Sequence, residues 1–412
     1  MTYLRFNVNL LPGPLGTEVP GQHPFIDIEE FTEAAKLAEQ GRLDAVFFAD
    51  SQAIPPPGAN GFGWALDPLT VLPAIARETE RIGLIATAST TYAQPYQLAR
   101  AILSIDHLSG GRAGWNIITT MEPTVARNFG LDSPPPRAER YRRATEFAEV
   151  VLALWRSWTD DVADRWDPAN LQRTPIDHRG EFFAVAGPLQ LPKSRQGIPV
   201  VYQAGGSDDG LALAAEFADA VFTVGVEESA SARFRARLNS AARARRGRDV
   251  QVLPGLNLTV GSTEAEVARL LGEAEAEVEN NGLAERFAER YGWEVTDLDL
   301  DGPVPDLAYG EDARSIGFAR GGVELARDTR LSLRRFLVVG GGGHRRLFGT
   351  PESIAEDLIG WQRRGSADGF NLSVSSLRDF VDRVVPLLQE RGVYRREYAG
   401  TTLRANITQH TG

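Results

Sequence analysis

Residues 80–120 read ERIGLIATASTTYAQPYQLARAILSIDHLSGGRAGWNIITT. The stretch is strand, helix and strand, and each strand passes from apolar residues into hydroxyls and amides at its C-terminal end. IGLIATA is β-branched and aliphatic enough to be covered on both faces, as in a parallel sheet. Ser89, Thr90, Thr91 and Tyr92 then arrive where the chain leaves the sheet, and RAGWNII repeats the pattern before Thr119 and Thr120. Polar residues at the C-terminal ends of consecutive parallel strands are how a (β/α)8 barrel builds a ligand mouth.

The alternation continues in both directions. Eight strand-like runs are 3–11, 43–50, 82–88, 112–118, 198–204, 219–224, 250–260 and 368–374, separated by amphipathic segments of helical length. Asp67 followed by Pro68 reads as a helix start, with an N-cap and a proline in the first turn. The expected architecture is one α/β barrel of TIM type spanning 1–412. Two segments, about 160–196 and 291–348, stand outside the pattern and are expected over the C-terminal mouth. The second contains Gly340–Gly343 followed by His344. Four glycines suit a lid, an anion-binding nest or a plain connection.

Composition narrows the function. A net charge of −11 argues against a nucleic-acid or anionic-membrane surface, because both are bound mainly through clustered Lys and Arg. Zero cysteines exclude disulfides, thiolate nucleophiles and Cys-bound zinc. The N-terminus lacks the pattern of a secretory signal and no apolar run is long enough to span a membrane, so a cytoplasmic location is expected. No His/carboxylate metal cluster or nucleophile elbow is evident, and Gly-x-Gly-x-x-Gly is absent. AGGSDDG, 204–210, lies between a strand and a helix. Its glycines permit close backbone approach, and Ser207 can cap a helix N-terminus that favours a phosphate.

Several residues carry structural readings. Asp106 and Arg112 of DHLSGGR read as an ion pair, Trp115 as core in preference to a ring stacked on a bound ligand, His107 as packing or capping, and the arginines of 233–248 as a solvated helix face.

LDAVFFADS, the 86–120 block ATASTTYAQPYQLARAILSIDHLSGGRAGWNIITT, ARNFG, ERY, VVYQAGGS and the ending VYRREYAGTTLRANI together resemble the nitrilotriacetate, EDTA and dibenzothiophene-sulfone monooxygenase group of the bacterial-luciferase-like flavin barrels. The resemblance covers nearly the whole chain. It implies a two-component monooxygenase that takes reduced FMN from a separate NAD(P)H-dependent flavin reductase and uses O2 on a small N- or S-containing organic substrate. It also implies a homodimer or homotetramer. Carried over by position, it sets Asp50 beside the isoalloxazine edge, Thr91 and Ser89 near its pyrimidine side, and Asn116 and Thr119 along the flavin cavity. Tyr141, Gly206 and Ser207 fall at the phosphate end, with Arg137 and Arg140 as charge partners.

This chain departs from the group in two places. SPPPRAERY lacks the histidine that many relatives carry before the ERY tyrosine, leaving His23 and His344 as candidates for proton handling, and Gly206 stands where the group often has a second serine. Phe62, Trp64 and Trp166, in the least recognisable segments, suit a partly apolar or aromatic substrate. Two other functions fit the same barrel: a deazaflavin (F420)-dependent dehydrogenase that transfers hydride, and a flavin-binding barrel without turnover.

Overall fold

The computed structural model describes residues 3–10, 26–54, 66–159, 172–310, 316–328, 330–341 and 343–409. Eight strands form its centre: β1 Arg5–Asn9, β2 Ala45–Phe48, β3 Gly83–Ser89, β4 Ala113–Ile118, β5 Val200–Ala204, β6 Ala220–Thr223, β7 Gln251–Val260 and β8 Gly369–Val374. Every neighbouring pair is parallel, and pairing of β8 with β1 closes the ring. All eight coincide with runs visible in the sequence.

Alternation along each strand sorts its side chains. Leu84, Ala86, Trp115, Ile117 and Val201 point outward into the large core shared with the helices. Ala45, Phe47, Ile85, Val200, Tyr202, Ala220 and Leu253 fill the barrel interior. Leu403, from the C-terminal helix Leu403–Ile407, enters this inner cluster and seals the N-terminal end. Gly83 and Gly114 make room for it: a Cβ on Gly83 would lie 2.5 Å from Leu403 Cδ1, and one on Gly114 3.4 Å from Cδ2. Beside this plug, Asp44 bonds with Arg395 and stands 3.8 Å from Arg5, and all three are buried. Arg5 Nη1 also donates to the Asn406 carbonyl at 3.0 Å, so the tail partners a charge that would otherwise be costly to bury.

The helices begin as their sequences dictate. Asp67, Ser207 and Thr350 each accept a backbone N–H of the first turn, opening Pro68–Glu78, Asp208–Phe217 and Pro351–Arg363. Helix Arg137–Trp155 starts at the mouth and runs down the outside. Residues 172–196 follow it along the flank. His178 Nε2 and the Phe182 and Phe183 N–H groups bond the Glu146 carboxylate at 2.8–2.9 Å, while Gln196 Nε2 reaches Asp106 and the Ala113 carbonyl at 2.6 and 2.9 Å near the start of β4. The expectation that this excursion covers the mouth therefore rests on 160–171, outside the described residues.

Asp106 and Arg112 are structural but are not the ion pair expected. Asp106 bonds Ala113 N, Ser194 and Gln196, whereas Arg112 donates to the carbonyls of Ala76, Thr79 and Ile82 and closes the end of Pro68–Glu78. Carbonyls left open at a helix end are a natural guanidinium site. Trp115 is core: its Nε1 donates to Ala88 O and its rings pack on Phe147 and Trp155.

The second excursion packs Tyr291, Ala319, Phe336 and Val338 into an apolar cluster with Phe287 of the preceding helix. It contains helix Ile316–Asp328 and a further strand, Arg345–Gly349, that pairs with Leu256–Val260 of β7. β7 is ten residues long and β6 four, so the upper edge of β7 is open and this strand takes it.

Candidate active site

A cavity of about 640 Å³ opens at the C-terminal mouth, within the usual range for small-molecule sites. Asp50 follows β2, Ser89 ends β3, Thr119 and Thr120 follow β4, Ala204 ends β5 with Gly205–Ser207 after it, and Phe222 and Thr223 end β6. Arg137, Arg140 and Tyr141 enter from the helix after β4, and Ile316–Phe318 and His344 from the second excursion. Of the site residues expected from the sequence, Asp50, Ser89, Thr119, Tyr141, Gly206, Ser207 and His344 all line this one space.

Thr91 and Asn116 do not. Thr91 N donates to Ser89 Oγ at 3.1 Å and its hydroxyl faces the Thr120 carbonyl at 3.5 Å, so it braces Ser89 from behind. Asn116 lies deeper in the barrel, where Nδ2 donates to Thr87 Oγ1 at 3.0 Å and Oδ1 is buried without a partner. His23, Phe62, Trp64 and Trp166 lie outside the described residues.

One end of the cavity is polar and cationic. Ser207 Oγ accepts from Gly210 N at 3.2 Å and stands 3.3 Å from the Tyr141 hydroxyl. Gly205 and Gly206 bring the backbone to the same corner, at the N-terminus of a ten-residue helix. Arg137 holds Asp209 at 2.9 Å beneath the corner, with its guanidinium 5.7 Å from the centre of the Tyr141 ring. Arg140 donates to Pro135 O at 2.7 Å while its Nε has no partner. Burial lowers the Arg140 pKa, yet a guanidinium stays charged.

The wall adjoining this corner is aromatic, since β6 pairs with β5 and Gly317 packs on Gly206. His344 stacks on Phe222, centroids 4.9 Å apart, and meets Phe318 edge-on at 4.9 Å. Its Nδ1 has no partner. Burial among these rings pushes its pKa down to about 4, so the imidazole is neutral near pH 7. Asp50 shifts the other way, to about 6, through desolvation first and the negative charge of Asp67 second. At the ends of β3 and β4, the Thr120 hydroxyl bonds Ser89 Oγ at 2.7 Å, and Arg143 Nε ties the Thr90 and Thr91 carbonyls to the helix bearing Tyr141 at 3.2 and 3.1 Å.

The sequence reading missed Phe222, Thr223, Glu122 and Phe318. The inward parity of β6 could have found Phe222, since it alternates with Ala220; Phe318 carries no local signal. The mouth carries a helix-capped anion corner, a neutral imidazole and a carboxylate near its midpoint, and among the described residues no three His, Asp or Glu cluster as metal ligands.

The chain belongs to the luciferase-like monooxygenase family, whose model matches residues 4–368, and it is a flavin-dependent monooxygenase. Among particular relatives, it is 37% identical to N-acetyl-S-(2-succino)cysteine monooxygenase of Bacillus subtilis (strain 168) and 37% identical to nitrilotriacetate monooxygenase component A of Aminobacter aminovorans. Each match covers 93% of this chain and 90% of the relative. The solved structure of EDTA monooxygenase from Chelativorans sp. BNC1 superposes with a TM-score of 0.83 at 37% identity, covering 98% of both chains.

Proposed function

We propose that this chain is the oxygenating component of a two-component system, taking reduced FMN from a separate NAD(P)H-dependent reductase and using O2 to oxygenate a small N- or S-containing organic molecule. The observation that carries the FMN assignment is the corner where Ser207, Tyr141, the Gly205–Gly206 backbone and Arg140 converge at one end of a flavin-sized mouth. Free helix N–H groups, two hydroxyls and an arginine nitrogen without a partner suit a terminal phosphate.

Bound reduced flavin supplies the activation of molecular oxygen. The chain's own residues do the rest. Ser207, Gly206, Tyr141, Arg137 and Arg140 hold the phosphate and so fix how deeply the cofactor sits. Ser89, braced by Thr91 and Thr120, and Thr119 line the edge of the ring site, while Asp50 faces it from β2 and Asn116 supports the floor from below. Phe222 and Phe318 exclude water beside His344, whose neutral imidazole lines the cavity and can accept a proton there.

Purified protein is titrated with FMN, riboflavin and a deazaflavin, and oxygen uptake is followed with a flavin reductase. FMN bound more tightly than riboflavin, with uptake that rises on adding substrate, is expected. Turnover without oxygen, or equal affinity for riboflavin, would overturn the reading.

A further inference from the structure

The helix that opens at the Tyr141–Ser207 corner begins with two aspartates, Asp208 and Asp209. Helix N–H groups attract a phosphate, but carboxylates in the first turn oppose it. Each aspartate is met by arginine from another element: Arg137 stands 2.9 Å from Asp209, and Asp208 has Arg237 at 2.9 Å and Arg320 at 3.7 Å. Arg320 also reaches the loop backbone, with Nη1 3.4 Å from the Gly206 carbonyl oxygen. That approach is long for a hydrogen bond, so the charge on the guanidinium counts for more than the bond.

Arg320 belongs to the second excursion, in helix Ile316–Asp328, and glycines deliver it. A Cβ on Gly317 would lie 3.4 Å from Gly206 Cα, and one on Gly321, a turn further on, 3.0 Å from Val224 Cγ1, so the helix lies directly on the loop. The Tyr309 hydroxyl, 3.5 Å from Arg320 Nε, steadies the guanidinium. Arg320 does not border the cavity; it lines a cleft of about 160 Å³ behind it, and Gly206, Thr223 and Gly317 separate the two spaces. The peptide joining Gly206 to Ser207 is planar and trans, so its C=O and N–H point in opposite directions. A cation behind the loop at the carbonyl therefore polarises the N–H that faces the other way. The corner keeps polar capacity for a ligand, since Thr223 Oγ1 is buried there without a partner, 3.5 Å from where a Cβ on Gly206 would stand.

We propose that Arg320 is a positioning residue for the flavin phosphate: from behind the loop it offsets Asp208 and makes the Gly206–Ser207 peptide a stronger anion donor. The proposal rests on the FMN reading above and adds to it a residue outside the cavity, on a helix outside the barrel. Riboflavin carries no phosphate for that N–H to meet, so Arg320 acts on FMN and not on riboflavin.

Flavin fluorescence titrations of the full chain give the FMN and riboflavin dissociation constants, and thermal melts check the fold of each variant. Arg320→Ala is expected to weaken FMN about tenfold and riboflavin less than about twofold. Arg320→Lys keeps the charge and should recover at least about threefold of that loss. Gly317→Val wedges the helix off the loop with the arginine intact and should reproduce the alanine result, which decides the matter if Arg320→Ala does not fold. An unaltered ratio of FMN to riboflavin affinity in either variant, an equal loss for both flavins, or no recovery in Arg320→Lys would each overturn the proposal. Equal affinity of the parent protein for FMN and riboflavin is a separate result: it removes the reading beneath.

Discussion

The imidazole of His344 occupies the space that a side chain on Gly255 would need: an added Cβ would lie 2.3 Å from His344 Nδ1. Gly255 is in β7 and His344 precedes the strand that extends β7, so a missing side chain on one strand lets its neighbour's ring reach the cavity. Gly255→Ala should therefore expel the ring and reproduce His344→Ala. Both variants are expected to lose about a hundredfold in turnover while keeping FMN affinity within a few fold, as read by coupled oxygen uptake and flavin titration. Normal turnover in the Gly255→Ala enzyme would show that His344 takes no part.

The same histidine marks the pH dependence of stability. Its folded pKa, about 4, lies below the ordinary 6.5, so between those values the unfolded chain binds the extra proton and stability falls as pH falls. The loss through this group is at most on the order of 3 kcal/mol, reached below pH 4. His344→Phe removes it. Urea unfolding at pH 7 and pH 4.5 should show a smaller drop for the variant than for the parent.

Asp50 gives a limb in the rate profile. Burial and Asp67 raise its pKa to about 6, so the carboxylate forms only as pH rises through that value. Turnover is expected to change across pH 5–7 and to lose that limb in Asp50→Asn. Asp67→Asn keeps a capping side chain for Leu69 N but removes the second cause of the shift, so the limb should move to lower pH without loss of fold.

The phosphate corner separates binding from stability. Tyr141→Phe and Ser207→Ala should each weaken FMN binding by about 1–2 kcal/mol and leave riboflavin almost unaffected. Ser207→Ala also removes the cap that bonds Gly210 N and should cost about 1 kcal/mol of stability; Tyr141→Phe has no capping bond to lose. Calorimetric melts beside flavin titrations read the two effects apart.

The eight strands were legible because each is a short β-branched run ending in a turn or cap, and that pattern is local. Depth along a strand was not. Asn116 points inward as expected, but two residues of strand are some 6–7 Å, so the cavity begins at Ile118 and Asn116 lies below it. The STTY motif points Thr91 at the cavity, yet the chain has turned by that residue and only Ser89 of the pair faces inside. The strand Arg345–Gly349 was invisible because RRLFG has no strand pattern of its own; it exists because β7 outlasts β6. Arg112 found helix carbonyls in place of Asp106 for the same reason: the deciding partner is distant in sequence.

The tail is the most distant partner of all. Leu403 fills the N-terminal end of the barrel between Gly83 and Gly114, the end away from the mouth, while Leu403 N bonds the Gly111 carbonyl at 3.0 Å. Leu403→Ala deletes a fully buried side chain in a site walled by strands that cannot collapse, so a loss of about 2–5 kcal/mol is expected. Gly83→Ala attacks the same contact from the other side, pushing its methyl against Leu403 Cδ1, and should also destabilise. In the double variant the added methyl fills part of the space the leucine left, so the combined loss should be smaller than the sum of the two. Thermal melts of the four proteins test this. FMN affinity is expected to stay within a few fold in all of them, since the plug and the phosphate corner sit at opposite ends of the barrel. A fully additive double variant would mean that the leucine and the glycine do not share that space.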